Sequence, residues 1–180
     1  MVSEAPGRLD DVRGFLNTFD FETDADPLKG PDRLGDWLND RFPALAGGAE
    51  EARLRGFREA LRRVVEANAG EEDPLAAWGA LAPYLGASRF TMTLAADGRP
   101  ALEPEGEGAS EVISGLLAVV YDATGSGEFA RLKSCRRQSC RYAYYDRSKN
   151  GSGAWCDMAV CGNRVKAERR RARQKSSKNR

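Results

Sequence analysis

Apolar residues in the first part of the chain return every three or four positions. In GRLDDVRGFLNTFDFE, Leu9, Val12, Phe15, Leu16 and Phe19 fall on one side of a helical repeat, which predicts an amphipathic helix ended by the polar TDADPLKGP. Asn17 and Thr18 interrupt its apolar face and read as a helix end in preference to a polar pocket. A second helix is expected in PDRLGDWLNDRF, with Pro31 in its first turn and Leu34, Trp37 and Leu38 as its stripe. A third, longer one in AEEARLRGFREALRRVVEANAG turns Leu54, Phe57, Leu61, Val64 and Val65 inward and stops near Gly70. Asp73 and Pro74 supply the cap and first position of a fourth, DPLAAWGALAPYLG.

The period then falls to two. Phe90, Met92 and Leu94 alternate with polar residues, Asp97 and Gly98 offer a tight turn, and Ala101 to Glu103 return, which predicts a β-hairpin. After EPEGEGAS, Ser110 is expected to cap an apolar fifth helix, EVISGLLAVVYDA, and TGSGE reads as a linker.

With 180 residues, 41% of them hydrophobic, the chain can bury one ordinary core and carry a small appendage that could not fold on hydrophobicity alone. The net charge of +1 conceals a segregation. Residues 131–180 hold 16 Lys/Arg against 3 Asp/Glu, a net of +13, which leaves 12 against 24, a net of −12, in residues 1–130. Such asymmetry points to a polyanion-binding segment at the basic end, and the acidic body is a candidate mask for it. The start, MVSEAPGRLDD, lacks a basic stretch followed by an apolar one, and no apolar run reaches membrane-spanning length. A cytoplasmic location without membrane contact is therefore expected. The chain contains no histidine, which excludes histidine-dependent acid–base and triad chemistry. Carboxylates at Glu50 and Glu51 and from Glu71 to Asp73 sit at helix starts, where the dipole favours them. No catalytic constellation emerges, and an enzyme is not expected.

All four cysteines lie in CRRQSCRYAYYDRSKNGSGAWCDMAVC, as Cys135, Cys140, Cys156 and Cys161. Two paired thiols joined by a connection of hairpin size match the ligand pattern of structural zinc, although four residues within each pair lies at the edge of the usual spacing. A closed tetrathiolate site for one structural Zn²⁺ is the leading reading; a redox-labile version of it, disulfides and free thiols are the alternatives. A catalytic zinc would need an open position that four thiolates do not leave. Lys133, Arg136, Arg137, Arg141, Arg164 and Lys166 are expected to lower the thiol pKa values and offset the excess negative charge. Between the pairs, Tyr142 and Tyr144, a turn-rich DRSKNGSG, and Ala154 and Trp155 predict a second hairpin. The good helix formers of GNRVKAERRRARQK follow. Knuckle, hairpin and a helix whose first turn holds the last ligand make a treble clef, in which zinc replaces the missing core and contributes about 10–16 kcal/mol.

The string CGNRVKAERRRAR, with YYDRSKNG and WCDMAVC before it, resembles the CGNR zinc finger, whose signature is Cys161, Gly162, Asn163 and Arg164. FLNTFDFE and LGDWLND resemble the opening of the ABATE domain that precedes this finger in the family, so the resemblance covers nearly the whole chain. It implies a bacterial, stress-linked transcription regulator with a DNA-binding finger. The family tends to place arginines just before the tryptophan, where this chain has Gly153 and Ala154.

The fold class expected is α+β: a mostly helical ABATE-like domain over 1–124 with a small hairpin, a linker over 125–130, a treble-clef-like finger over 131–175 and a disordered tail over 176–180. The expected function is a zinc-dependent DNA-binding transcription regulator whose N-terminal domain senses, dimerises or docks a partner. The alternative is a protein- or RNA-interaction module with a purely structural zinc. Double-stranded DNA is the expected partner, with a small-molecule effector or a protein for the N-terminal domain, and a homodimer as a further expectation. Residues expected to meet nucleic acid are Arg136, Arg137, Arg141, Arg147, Lys149, Arg164, Lys166, Arg169, Arg170, Arg171, Arg173 and Lys175.

Overall fold

The computed structural model describes residues 3–26, 28 and 51–178, the last four of these by backbone alone. The helix expected over 31–42 lies outside the described residues. Helix α1 (Leu9–Leu16) carries Asp10 and Asp11 in its first turn and buries Leu9, Val12, Phe15 and Leu16, as the repeat requires. It ends short of Phe19 because Asn17 is its C-cap, and Thr18 Oγ1 donates to the carbonyl of Phe15 at 2.8 Å. Beyond it, residues 20–25 close into a tight loop by a bridge between Asp20 and Ala25.

Helix α2 (Glu51–Asn68) buries Leu54, Phe57, Leu61, Val64 and Val65, and with them Arg58 and Arg62. Helix α3 (Pro74–Ala87) begins on Asp73, whose carboxylate accepts from the Ala76 amide at 3.0 Å, with Pro74 in the first turn where no amide is needed. Strands β1 (Arg89–Leu94) and β2 (Pro100–Glu105) pair antiparallel with Met92 opposite Leu102, and Gly98 turns the chain at φ +80°. The return strand is thus longer than the Ala101–Glu103 expected.

Helix α4 (Ala109–Gly125) starts after Gly108, without a side-chain cap. Ser110, expected as the cap, lies one residue inside, and its hydroxyl accepts from Arg53 at 2.8 Å. At its other end α4 absorbs Thr124 and Gly125 of the expected linker, and Ser126 closes it. A 3₁₀ turn follows over Phe129–Arg131. Phe129 is 3% exposed and packs beside Trp78, so the stretch expected as linker is anchored in the core.

Strands β3 (Leu132–Ser134) and β4 (Ala143–Tyr145) form the second antiparallel pair, with Leu132 opposite Tyr145. This corrects the hairpin expected between Tyr142–Tyr144 and Ala154–Trp155. Pairing with β3 buries Leu132, Ala143 and Tyr145 in the same apolar cluster as α1, α2 and α4, a fully buried leucine such as Leu132 contributing about 1.5–3 kcal/mol. Ala154 instead accepts one bond, from the Arg136 amide at 3.1 Å. A π-helical turn, Met158–Gly162, leads into helix α5 (Asn163–Lys178), which runs past residue 175, where a disordered tail was expected to begin. The result is α+β: a helical body with two small antiparallel sheets, the second of which belongs both to the core and to the cysteine-bearing segment. No helix among the described residues is long and apolar enough to cross a membrane.

Candidate metal centre and basic helix

Each cysteine sits at an end or a turn. Cys135 follows β3 and its amide donates to Tyr142 at 3.0 Å; Cys140 lies in a turn where its amide donates to Arg137 at 2.8 Å. That turn exits through Arg141 at φ +46°. Cys156 precedes the π-helical turn and Cys161 lies within it. Asp157 organises the turn: its Oδ1 accepts from the amides of Ala159 (2.8 Å) and Val160 (3.1 Å), and its carbonyl accepts from the Cys161 amide at 2.9 Å.

These local devices bring the four sulfurs within 4.8 Å of one another. Cys140 to Cys156 and Cys156 to Cys161 are each 3.7 Å apart. A tetrahedron with Zn–S bonds of about 2.3 Å has edges of about 3.8 Å, whereas a disulfide needs about 2.05 Å. The donor set therefore fits zinc, and all four thiols are free. Crowding also divides the protons. Hydrogen bonds from Cys140 and Cys156 pull Cys135 down to about 2, while the same interaction with Cys135 pushes Cys140 up to about 12 and Cys156 higher still. A bound dication offsets the mutual repulsion of neighbouring thiolates and favours the ionised form of its ligands. A further observation supports the fit. The Nε of Arg137 is buried without a hydrogen-bond partner; burial lowers the pKa of this guanidinium, but Glu22 and then the Cys161 sulfur that lies against it raise it above the ordinary value. A metal-bound thiolate supplies the missing acceptor.

The residues around the last ligand have separate tasks. A Cβ on Gly162 would strike the Met158 sulfur and lie 3.2 Å from Trp155. Asn163 Nδ2 donates to the Ala159 carbonyl at 2.9 Å, and Arg164 donates to Glu22 at 2.8 Å. Upstream, Asp146 holds the loop between the pairs. Burial alone would raise its pKa, but hydrogen bonds from Ser148, Lys133 and the Gly153 amide outweigh it and hold the carboxyl well below the usual range. A Cβ at Gly153 would lie 2.7 Å from Asp146 Oδ1, so a side chain at that position requires the buried carboxylate to shift.

Comparison with known families adds two results. Residues 131–174 match the CGNR zinc finger, and residues 14–124 match ABATE, described as "Putative stress-induced transcription regulator". The chain belongs to the ABATE family. The finger match ends on the described helix α5 and contains all four cysteines, whose sulfurs suit the tetrathiolate zinc site that a CGNR zinc finger implies. No curated protein matches the chain.

The ABATE body occupies many of the finger's cations. Lys133, expected as a counter-charge for the thiolates, is buried and paired with Asp146 at 2.9 Å. Arg136 pairs with Glu71 at 2.9 Å and also donates to the Ala69 carbonyl. Arg137 and Arg164 share Glu22. Arg141 pairs with Glu66 and lies over Phe21, 4.7 Å from the ring centre. Arg147 reaches Ser3 Oγ and the Glu4 carbonyl, each at 3.0 Å. Arg136, Arg137, Arg141, Arg147 and Arg164 stand in the body–finger seam, whereas Lys133 pairs within the finger. Lys149, Lys166, Arg169, Arg170, Arg171 and Arg173 are exposed and have no ion pair among the described residues. The side chain of Lys175 lies outside the described residues.

Sequence reasoning missed the body's half of this seam. Glu22, Glu66 and Glu71 carry no local signal that distinguishes them from solvated carboxylates. Asn17 is similar: Nδ2 donates to the Ala143 carbonyl at 2.9 Å and Oδ1 accepts its amide at 2.7 Å, a pairing that spans most of the chain. Buried Arg62 extends the seam, donating to the carbonyls of Leu16 and Arg141 with its ring neighbour Phe21 at 4.8 Å. Asp157 had a signal, an acidic residue just before a helical turn.

Proposed function

We propose that the chain is a cytoplasmic, zinc-dependent DNA-binding transcription regulator in which α5 meets the phosphate backbone of duplex DNA. The observation that carries this reading is the row Lys166, Arg169, Arg170, Arg171 and Arg173, exposed and without ion pairs among the described residues on a helix that follows directly on the turn holding Cys161. Zinc, when bound, ties Cys161 to the rest of the finger and so sets where this helix leaves the body. The proposed contact set is therefore narrower than the charge count implies: Lys149 and the α5 cations face the nucleic acid, while Arg136, Arg137, Arg141, Arg147 and Arg164 secure the finger to the body. Contacts of this kind position a duplex without reading its sequence. A treble-clef path through the cysteines and a sensing, dimerising or partner-docking role for the body belong to the same reading. A regulatory rather than catalytic role accords with both family descriptions.

Salt titration of duplex binding, followed by fluorescence anisotropy, tests the proposal. Each phosphate contact steepens the fall of log K with log salt by about 0.9, so replacing Arg169, Arg170 and Arg173 by alanine flattens the slope by up to about 2.7 and weakens all duplexes alike. Protein that holds one zinc yet binds no duplex at low salt overturns the reading. Preference for RNA over duplex DNA of equal length favours the interaction-module alternative.

A further inference from the structure

A single carboxylate of the body reaches both sides of the metal ligand Cys161. Glu22 sits in the loop over residues 20–25, which is held by its bridge and by Asp20, whose Oδ1 accepts from the Glu22 amide at 2.8 Å. Its Oε1 accepts from Arg164, three residues after Cys161, at 2.8 Å, and from Arg137 Nη1. The Arg137 side chain is only 13% exposed, and its Nε, the buried donor without a partner, belongs to the guanidinium that Cys161 lies against. Glu22 therefore holds the Arg137 guanidinium in place, and the Cys161 sulfur lies against that same group.

We infer that Glu22 and Arg137 are positioning residues for the metal, through which the body retains the finger's zinc. The inference rests on the tetrathiolate zinc reading. A thiolate cluster holds more negative charge than one dication neutralises, and a fixed guanidinium beside one sulfur offsets part of that excess at the point of contact. Outer partners of this kind typically alter metal retention by about 10–100-fold when removed. Arg137 then forms a chain of contacts from zinc ligand to body: Cys161 Sγ, Arg137, Glu22. Arg164, which shares Glu22, adds the first turn of α5 to the same bridge.

The test uses the full-length zinc-loaded protein and measures transfer of zinc to a chromogenic chelator at fixed pH. Arg137→Met releases zinc about tenfold faster or more, Glu22→Gln releases it severalfold faster, and Arg137→Lys falls between Arg137→Met and wild type. Glu72→Gln, which breaks the Arg63–Glu72 pair elsewhere on the surface, leaves the rate unchanged. A direct readout that a merely structural role would not move is NMR of the ¹¹³Cd-substituted wild-type protein, where Arg137 Hε shows scalar coupling to the metal across the sulfur. Wild-type protein without one bound zinc overturns the metal reading itself. Wild-type protein that holds zinc, with unchanged release in Glu22→Gln and no Hε coupling, overturns this inference alone, even where Arg137→Met fails to fold.

Discussion

Gly153 and Gly162 both leave no room for a side chain, at unequal cost. At Gly153 the obstacle is Asp146, 3% exposed and fixed by Lys133, the Ser148 amide and the Gly153 amide itself. At Gly162 the obstacle is the end of the Met158 side chain, half exposed and free to turn away. Gly153→Ala is therefore expected to destabilise the zinc-loaded protein by about 1–3 kcal/mol in denaturant unfolding, and Gly162→Ala by clearly less. The cysteines were legible because their spacing is local chemistry. The departure at Gly153 was visible too, but its cause was not, because Asp146 gains its importance only when Lys133 folds back onto it from the preceding strand.

Among the elements, α1 and α2 bury the residues their repeats select, Phe19 excepted, whereas α4 is buried on every side from Val112 to Val120. Strands of three residues carry no readable period, and that is why β3 was missed and β4 was paired with the wrong partner. Pairing was decided instead by what the core could cover, and by Asn17, whose amide presents to Ala143 the same donor and acceptor that a neighbouring strand would. Asn17→Ala leaves the amide and carbonyl of buried Ala143 unsatisfied. A loss of about 2–4 kcal/mol is expected, measured as the shift in unfolding midpoint at unchanged slope.

For the whole molecule, the charge segregation was plain in the sequence, but its geometry was not. The acidic body and basic finger meet along Glu22, Glu66 and Glu71, while the α5 cations remain outward, so the body holds the finger without covering the basic helix among the described residues. Contacts so distant along the chain leave no trace in local pattern. Because Leu132, Ala143 and Tyr145 are covered by the body, residues 131–180 expressed alone are expected to take up zinc yet unfold with a broad, weakly cooperative transition. Circular dichroism melting of the fragment beside the full chain checks this.

The shared core also bears on ancestry. A finger that completes its neighbour's interior cannot pass between genes as a free cassette, since a graft would arrive with Leu132, Ala143 and Tyr145 uncovered. A destabilising change on one side of the shared core is therefore expected to be offset by a change on the other.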